Sequence, residues 1–485
     1  MDIISTNLVN ILTKSLVQLN KKLLKTTTAL IHLHLRKNVM IKPMKLSLMM
    51  GIFLPISSDL MANPLFENGT FDLMNRNFYF YRDFREGASN PSGANSTLPA
   101  QEREGYRDEW AHGVVGQFKS GFTDTTVQMG FDAYAMVGIK LKSNPYTTGT
   151  NLIEFDPQTG ATKDAYGEIG GALKFKYKDT VFSYGQQFPN TPVIAVSTVR
   201  LLPTTATGYT VQDNTFDDLT LNAGYFYRMN PVDSTDHLNY FSTDYAAGIE
   251  ANSIRYLGGT YKHKDVVYTA YASELEDVWN QYYLGLNTQY KLPKEGHALR
   301  FATSNYYNTE AGNKKAGDID AMALSMLLGY QMNNHVFSLG YQQIVGDDPF
   351  DWVGFKTIGA NSSLLNLAQF ATFSEAKEKS VQLKYETDLS RYGLNGLSFM
   401  GRYLYGWDID NSSSKNPFYT KRFVYDSNVD YTHWERDLTL AYKVPTGFAK
   451  GLDIKLRQAT HRASKGYRYN DIDELRVILE YPFRF

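Results

Sequence analysis

The chain has 485 residues, 14% of them aromatic, with a formal net charge of −1 and no cysteine. These values exclude disulfides and thiolate chemistry and give no indication of nucleic-acid binding. No apolar run reaches the 18 or more residues of a spanning helix, which excludes an ordinary helical membrane protein. The aromatic content suits a membrane β-barrel with rings at both interfaces, and equally suits a Tyr-rich sandwich or a secreted hydrolase.

The amino-terminal segment predicts an export signal. A short positive region with Lys42 and Lys45 precedes an apolar stretch at 46–56, which has the length of a signal peptide. A cleavage site follows at Ala62. Because the stretch is too short to span a bilayer as a mature helix, we assign residues 1–62 to a leader that is removed.

Residues 1–39 lie upstream of this signal, which is unusual because a signal rarely begins so late. They are basic and weakly amphipathic. We interpret them as a spurious extension, with translation starting at Met40 or Met44; a helix on a membrane surface is the alternative. We expect 63–485 to form a single β-barrel domain.

The chain beyond the leader consists almost entirely of strand-like stretches with a period of two. The last of these has one wholly apolar face, formed by Leu475, Val477, Leu479, Tyr481, Phe483 and Phe485. Glu474, Arg476 and Glu480 lie on the opposite face. The same alternation recurs at 173–178, 381–386, 397–405 and 452–457. Such a pattern predicts sheets with two different faces.

The length of this pattern favours a barrel over a sandwich. A sandwich domain seldom exceeds about 250 residues, and no linker divides this chain. At roughly 23 residues per strand and connection, the mature region gives about 18 strands, within a range of about 16 to 20. Short turns such as 443–447 interleave with long polar segments at 87–105, 143–167, 229–243, 306–317 and 408–421. The predicted fold is all-β, a transmembrane antiparallel β-barrel with short periplasmic turns and long extracellular loops.

Motifs of catalysis and cofactor binding are missing from the sequence. It contains no HExxH, GxSxG, P-loop or GxGxxG. The stretch 408–411 (DIDN) resembles part of a calcium loop but lacks the remaining ligands. The presence of Ser, His and Asp alone does not support a hydrolytic triad. We therefore predict no enzyme, no cofactor and no metal site.

Basic residues on the polar faces of strands are more informative. Four of them lie opposite an apolar row: Arg402, Lys455, Arg457 and Arg476. Facing lipid at mid-bilayer, each would cost roughly 2–4 kcal/mol, so they point into the lumen or lie beyond the membrane. In the lumen they form a positive track for a carboxylate, or they pair with carboxylates such as Asp453 and Glu480 to hold the wall. The alternation alone leaves both interpretations open.

Eight stretches distributed over the mature chain carry a family resemblance. They are 75–84 (NRNFYFYRDF), 109–141, 184–208, 274–290, 315–320 (KAGDID), 346–355 (GDDPFDWVGF), 457–462 (RQATHR) and 481–485 (YPFRF). In number and order they resemble the OprD family of substrate-specific outer-membrane porins. The resemblance implies a single-chain barrel of about 18 strands, some of whose loops fold into the pore. Such porins pass small solutes, usually ones with a carboxylate, such as amino acids, aromatic acids and some β-lactam antibiotics.

The resemblance also implies which residues line the pore. The family's basic track falls on Arg82, Arg107, Arg200, Lys455, Arg457 and Arg476. Lys455 stands where Arg is common, which keeps the charge but loses the planar fork. Together with Arg402 from the alternation, these seven residues are called the basic track below.

The predicted constriction departs from the family's best-known pattern. An acidic residue that often opposes the track corresponds to Thr372, and nearby hydroxyl-bearing positions correspond to Leu367 and Phe370. Trp352 and Tyr245 match aromatic positions of the narrow zone. Because the acid is lost, we expect a preference for simple or aromatic carboxylates over basic amino acids.

The expected surroundings follow from the predicted class. A bacterial outer-membrane barrel contacts lipid and lipopolysaccharide, passes small carboxylates and meets the barrel-assembly machinery through Phe485; no nucleic acid is expected. The resemblance implies a monomer that associates at most weakly. Two other classes stay open: an adhesive or structural barrel whose loops at 87–105 and 408–421 meet partners, and a barrel hydrolase.

Overall fold

The computed structural model describes residues 64–246, 248–421 and 423–485. The predicted leader at 1–62, with its extension at 1–39, lies outside the described residues and stays a prediction. Within those described ranges, no helix has the length and apolar character needed to cross a membrane. The helical elements are short: α1 (Pro64–Glu67), α2 (Pro417–Thr420) and three 3₁₀ turns at Gly93–Thr97, Ala100–Glu102 and Ser390–Tyr392.

Strands make up most of the described chain. In order they are β1 (Thr70–Phe84), β2 (Tyr106–Lys119), β3 (Gln128–Lys142), β4 (Ala165–Tyr177), β5 (Thr180–Gln187), β6 (Thr205–Phe216), β7 (Leu219–Asn230), β8 (Phe241–Thr243), β9 (Glu250–Ala251), β10 (Ile254–His263), β11 (Val266–Leu275), β12 (Trp279–Lys291), β13 (His297–Glu310), β14 (Asp320–Met332), β15 (His335–Val345), β16 (Val353–Gly354), β17 (Lys379–Asp388), β18 (Leu397–Ile409), β19 (Tyr431–Lys443), β20 (Asp453–Ala463) and β21 (Ile472–Arg484).

Eighteen of these strands form one closed barrel. Each strand pairs antiparallel with the next barrel strand along the chain, and β1 pairs with both β2 and β21. The closing seam runs from Asp72 opposite Arg484 to Phe84 opposite Ile472. The remaining strands β8, β9 and β16 form a separate three-stranded sheet. The predicted 18-stranded antiparallel barrel is confirmed.

The period of two in the sequence corresponds to an inner and an outer wall. On β21, Glu474 and Arg476 are buried inside the barrel, whereas Leu475 and Leu479 belong to the outer row. Large apolar side chains stay exposed on the outer wall, and Leu257 is 65% exposed. Such exposure is stable only where lipid covers the wall.

Strand β1 shows where alternation fails as a guide. Phe78 and Phe80 share the inner face with Arg76 and Arg82, and both rings are almost completely buried. They are buried because the loop at 188–204 folds into the barrel and packs against them with Leu201 and Leu202. An inner wall covered by a loop carries apolar residues like an ordinary core.

The two rims of the barrel differ in the length of their loops. One rim has short turns, such as 178–179, 217–218 and 264–265, and also holds the two ends of the closed sheet. The other rim has the long loops, including 85–105, 143–164 and 410–430. The polar composition of these three predicted their positions to within a few residues, except for the carboxyl end of the last.

Three further long loops fold into the barrel; they are called the inner loops below and span 188–204, 231–253 and 346–378. Ile194, Phe241 and Phe355, one from each loop, are fully buried. Polar composition predicted only the second of these loops, as the segment 229–243, and missed its carboxyl-terminal part. The others contain apolar runs that pack inside the lumen, so they do not resemble solvent-exposed polar connections.

A matched pair of substitutions on β17 tests the assignment of the two walls. Leu383 is 60% exposed on the outer wall, and its neighbour Lys384 lies on the inner wall beside Glu386. We expect Leu383→Arg to lower the free energy of unfolding in lipid vesicles by roughly 2–4 kcal/mol, because an arginine at mid-bilayer faces hydrocarbon. Lys384→Arg keeps its charge in the aqueous lumen and should change little. Urea titration followed by tryptophan fluorescence measures both; an equal loss in the two variants would contradict the assignment.

Candidate permeation pathway

The inner loops form one connected layer inside the barrel, and Asp351 joins two of them. Its Oδ1 accepts hydrogen bonds from the backbone N–H groups of Asp244, Tyr245 and Trp352 at 2.8–2.9 Å. Its Oδ2 accepts from the N–H of Ala246 at 2.9 Å. Strands β8 and β16 pair beside this carboxylate. The loops at 231–253 and 346–378 are therefore held together as one sheet with a buried carboxyl group at its edge.

The first inner loop is attached to the same layer. The backbone N–H of Asn361 donates to the carbonyl of Ala195 at 3.1 Å, and its side-chain amide donates to Val196 at 2.8 Å. The Tyr306 hydroxyl on β13 donates to the carbonyl of Pro192 at 2.9 Å. The wall opposite β1 thus also holds the loop at 188–204, so the inner loops narrow the lumen from several sides.

Three residues of the basic track surround one aromatic ring. The guanidinium carbons of Arg82, Arg200 and Arg476 lie 5.3, 5.5 and 4.9 Å from the centroid of the Phe80 ring. Cations favour the face of an aromatic ring, and each such contact contributes roughly 0.5–2 kcal/mol. The sequence interpretation did not include Phe80. Its shared parity with Arg82 was the available signal.

Glu474 lies between two of these guanidiniums. Arg82 Nη2 and Arg476 Nη2 are each 2.6 Å from its carboxylate, and the Gln369 amide donates to Oε1 at 3.0 Å. Two cations therefore share one anion. Gln369 belongs to the third inner loop, so this buried cluster also fixes that loop to the wall.

Two other residues of the track have carboxylate partners of their own. Arg402 lies 2.7 Å from Asp437 and also donates to the carbonyl of Leu367 at 2.7 Å. Lys455 lies 3.1 Å from Asp453 and 2.7 Å from Glu480. The contacts of Arg402 and Lys455 match the wall-holding interpretation.

The remaining three residues of the track have no carboxylate within ion-pair distance among the described residues. Arg107 donates to Asn90, Ser92 and the carbonyl of Gly149 at 2.7–2.8 Å. Arg200 donates to the carbonyl of Thr150 at 2.8 Å, and burial lowers the pKa of its guanidinium to about 9. Arg457 is half-buried, has no hydrogen bond or ion pair within that set, and lies opposite Arg476.

The predicted constriction residues separate into two places. The Tyr245 hydroxyl lies 2.9 Å from Thr372 Oγ1, and its ring lies 5.9 Å from that of Trp352. Phe370 lies instead at the basic track, with the Arg82 guanidinium 4.7 Å from its centroid. Tyr245 and Trp352 are buried, whereas Phe370 and Thr372 are half-buried. Of the four predicted constriction residues, Phe370 and Thr372 are therefore the two that keep exposed surface.

A closed 18-stranded barrel with an apolar outer wall, a charged lumen and loops folded into that lumen is the architecture of an outer-membrane diffusion pore. A family model described as outer membrane porin, OprD family, matches residues 64–485. Porin D of Pseudomonas aeruginosa is 35% identical over 435 residues, which covers 88% of this chain and 93% of that protein. The chain therefore belongs to the OprD family of outer membrane porins.

Solved structures agree with this assignment. The crystal structure of OccK9 (OpdG) from P. aeruginosa superposes with a TM-score of 0.76 at 28% identity, covering 86% of this chain and 99% of that one. That of P. aeruginosa OpdK with vanillate gives 0.73 at 27% identity, covering 87% and 100%. The predicted family, the porin function and the outer-membrane location are confirmed. The chain is a channel and not an enzyme.

Removing the acceptor that joins two inner loops tests their role in narrowing the pore. In Asp351→Asn the side-chain nitrogen cannot accept the N–H of Ala246, so the sheet of β8, β9 and β16 should loosen. We expect a larger and noisier single-channel conductance in potassium chloride. Asp347→Asn, an exposed change in the same loop, is the matched control and should leave the conductance unaltered. Unchanged conductance in both variants would show that Asp351 does not set the width.

Proposed function

We propose that this porin gives passive, partly selective diffusion of small carboxylate-bearing solutes along the basic track. The observation that carries the proposal is the arrangement of its guanidiniums. Arg82 lies directly opposite Arg107, and Arg457 lies directly opposite Arg476. Like charges directly opposite on neighbouring strands are destabilising. Glu474 neutralises one arginine of each pair, Arg82 and Arg476, so wall-holding leaves Arg107 and Arg457 without an explanation.

The strength of attraction suits transport. Two unit charges 4 Å apart attract by about 1 kcal/mol in bulk water and by about 4 kcal/mol at an effective dielectric constant of 20. A narrow aqueous lumen lies between these limits. Arg107, Arg200 and Arg457 have no carboxylate to neutralise them among the described residues, so a solute carboxylate can take that place in turn. Binding that is weak and repeated along the pore allows both uptake and release.

The aromatic rings along the track support particular solute classes. The Phe370 ring is half-buried and lies beside the Arg82 guanidinium, so an aromatic acid finds an apolar surface and a cation together. OpdK, a relative, has been crystallised with vanillate, which is an aromatic carboxylate. The proposed solutes are amino acids, aromatic and other organic acids, and some β-lactam antibiotics.

Replacing Arg457, which has neither a hydrogen bond nor an ion pair among the described residues, tests the role of the basic track. Liposome swelling with benzoate and with its neutral analogue benzamide separates charge from size. We expect benzoate to permeate faster, and Arg457→Gln to lower the benzoate-to-benzamide ratio severalfold, because one unneutralised charge is lost. Arg457→Lys keeps that charge and should retain most of the ratio.

The matched control for this test is Arg436→Gln, which removes an arginine from the outer face of β19. It should leave the ratio unchanged. Equal rates for both solutes in the unaltered protein would make it a general diffusion pore whose arginines are structural. No permeation of either solute would favour an adhesive or enzymatic barrel.

Thr372 tests the preference among carboxylates. Its hydroxyl bonds to Tyr245 and Ser374, where relatives often carry an acid. We expect Thr372→Asp to raise the uptake of arginine and lysine relative to benzoate severalfold, because a carboxylate there attracts an ammonium or guanidinium group. Thr372→Asn has nearly the same shape without charge and should keep the original preference. If the unaltered protein already takes up arginine in preference to benzoate, the assignment of this position is wrong.

Phe485 and the oligomeric state complete the proposal. The Phe485 side chain is 75% exposed, while its backbone exchanges hydrogen bonds of 2.9 and 3.0 Å with Phe71 at the closing seam. An exposed aromatic ring on an edge strand before closure is a suitable feature for the barrel-assembly machinery to bind. The inner loops of one chain fill its own lumen, which supports a monomer that associates at most weakly.

A further inference from the structure

A chain of buried hydrogen bonds links the end of the third inner loop to the barrel wall. Glu378 Oε1 lies 2.7 Å from His433 Nε2 on β19, and His433 Nδ1 lies 3.0 Å from His461 Nε2 on β20. His461 Nδ1 lies 3.1 Å from the carbonyl oxygen of Asn470. The side chains of Glu378 and His433 are fully buried, so water does not replace these contacts.

The donor and acceptor of each of these bonds can be assigned, and the hydrogens they need can be counted. A carbonyl only accepts, so His461 Nδ1 carries a hydrogen and donates to Asn470. In a neutral His461 ring, Nε2 then accepts from His433 Nδ1, which leaves His433 Nε2 without a hydrogen, facing Glu378. Three bonds need three hydrogens, whereas two neutral imidazoles and a carboxylate supply two. The complete set of three hydrogen bonds therefore holds one additional proton, and Glu378, His433 and His461 together are neutral.

Other charged and titratable groups surround this chain of hydrogen bonds but are not members of it. On the loop itself, Glu375 is neutralised by Arg468 at 2.9 Å, and its backbone N–H donates to Glu378 Oε2 at 2.9 Å. Glu435 on β19 is engaged by the backbone N–H groups of residues 370 and 371. The remaining neighbours are Arg82 on β1, Arg462 on β20, and the tyrosines Tyr425, Tyr467 and Tyr469.

The chain of hydrogen bonds lies next to a segment of the third inner loop, which folds into the lumen. Glu378 is the last residue of the inner loop before β17 begins, and the same loop carries Phe370 and Thr372. The Phe373 ring stacks on His433 with centroids 4.2 Å apart. Movement of Glu378 away from His433 would therefore displace the segment that carries Phe370 and Thr372.

We propose that Glu378, His433 and His461 form a proton-binding site that anchors the third inner loop, and that loss of this proton at alkaline pH loosens the loop and destabilises the open pore. The inference concerns regulation of the same pore, and it rests on the proposed function only in requiring that ions pass through it. Burial raises the pKa of Glu378 to about 8, which agrees with a proton held at neutral pH. The stabilisation is present below the ordinary carboxyl pKa and is lost as the pH rises through the raised value.

Single-channel recording in potassium chloride tests the site, because a salt current needs no carboxylate selectivity. We expect a steady current at neutral pH and a severalfold rise in the frequency of current transitions as the pH rises above about 8. In Glu378→Gln the amide carbonyl accepts from Glu375 and the amide nitrogen donates to His433, so all the bonds form without a titratable proton. This variant should stay steady across the same range.

Glu386→Gln, on the inner wall of β17 beside Lys384, is the matched control and should keep the alkaline transition. A transition of equal size in Glu378→Gln, or a steady current in the unaltered protein at every pH, would overturn the proposal. If Glu378→Gln fails to fold, deuterium exchange of the unaltered protein provides the test. The exchange rate at 370–378, divided by the rate at 143–164, should increase once the pH exceeds about 8. A constant ratio would overturn the proposal, whereas equal rates for benzoate and benzamide would affect only the proposed selectivity.

Discussion

Closure of the sheet is the constraint on which the rest of this structure depends. In hydrocarbon every backbone N–H and C=O must find a partner within the protein, so the first strand has to pair with the last. The seam between β1 and β21 satisfies this requirement along almost the whole of both strands. Once the sheet is closed, side chains have only two directions, lipid or lumen. A charged side chain is least costly where it points into the lumen, and a positive lumen becomes possible.

A closed barrel of this size leaves a lumen that side chains alone do not fill, and the inner loops occupy it. Their burial requires an interior of their own, which explains Phe78 and Phe80 on the inner face of β1. It also requires partners for buried polar groups. Asp351 accepts four backbone N–H groups, and Glu474 serves two guanidiniums and an amide. The same contacts that stabilise the loops therefore fix the shape of the pathway.

Electrostatics divides the basic track into supporting and available cations. Arg402 and Lys455 have carboxylates of their own, so their charge is largely neutralised. Arg107 and Arg200 donate to neutral acceptors, and Arg457 faces another arginine across the sheet. Arginines directly opposite each other destabilise the strands that carry them. In a structure otherwise rich in ion pairs, the lack of a carboxylate partner for Arg107, Arg200 and Arg457 among the described residues is the physical basis of the proposal that they bind the solute.

The sequence by itself determined the barrel, the strand number and the inward side of Arg402, Lys455, Arg457 and Arg476, because a period of two is a local property of each strand. The family resemblance added Arg82, Arg107 and Arg200. Only the tertiary structure decided which of these cations keep a partner, since Glu474 and Gln369 come from distant parts of the chain. It also separated Phe370 from Tyr245 and brought Glu378, His433 and His461 together. Contacts of inner loops depend on where the loops fold within the lumen, and no periodic pattern records that.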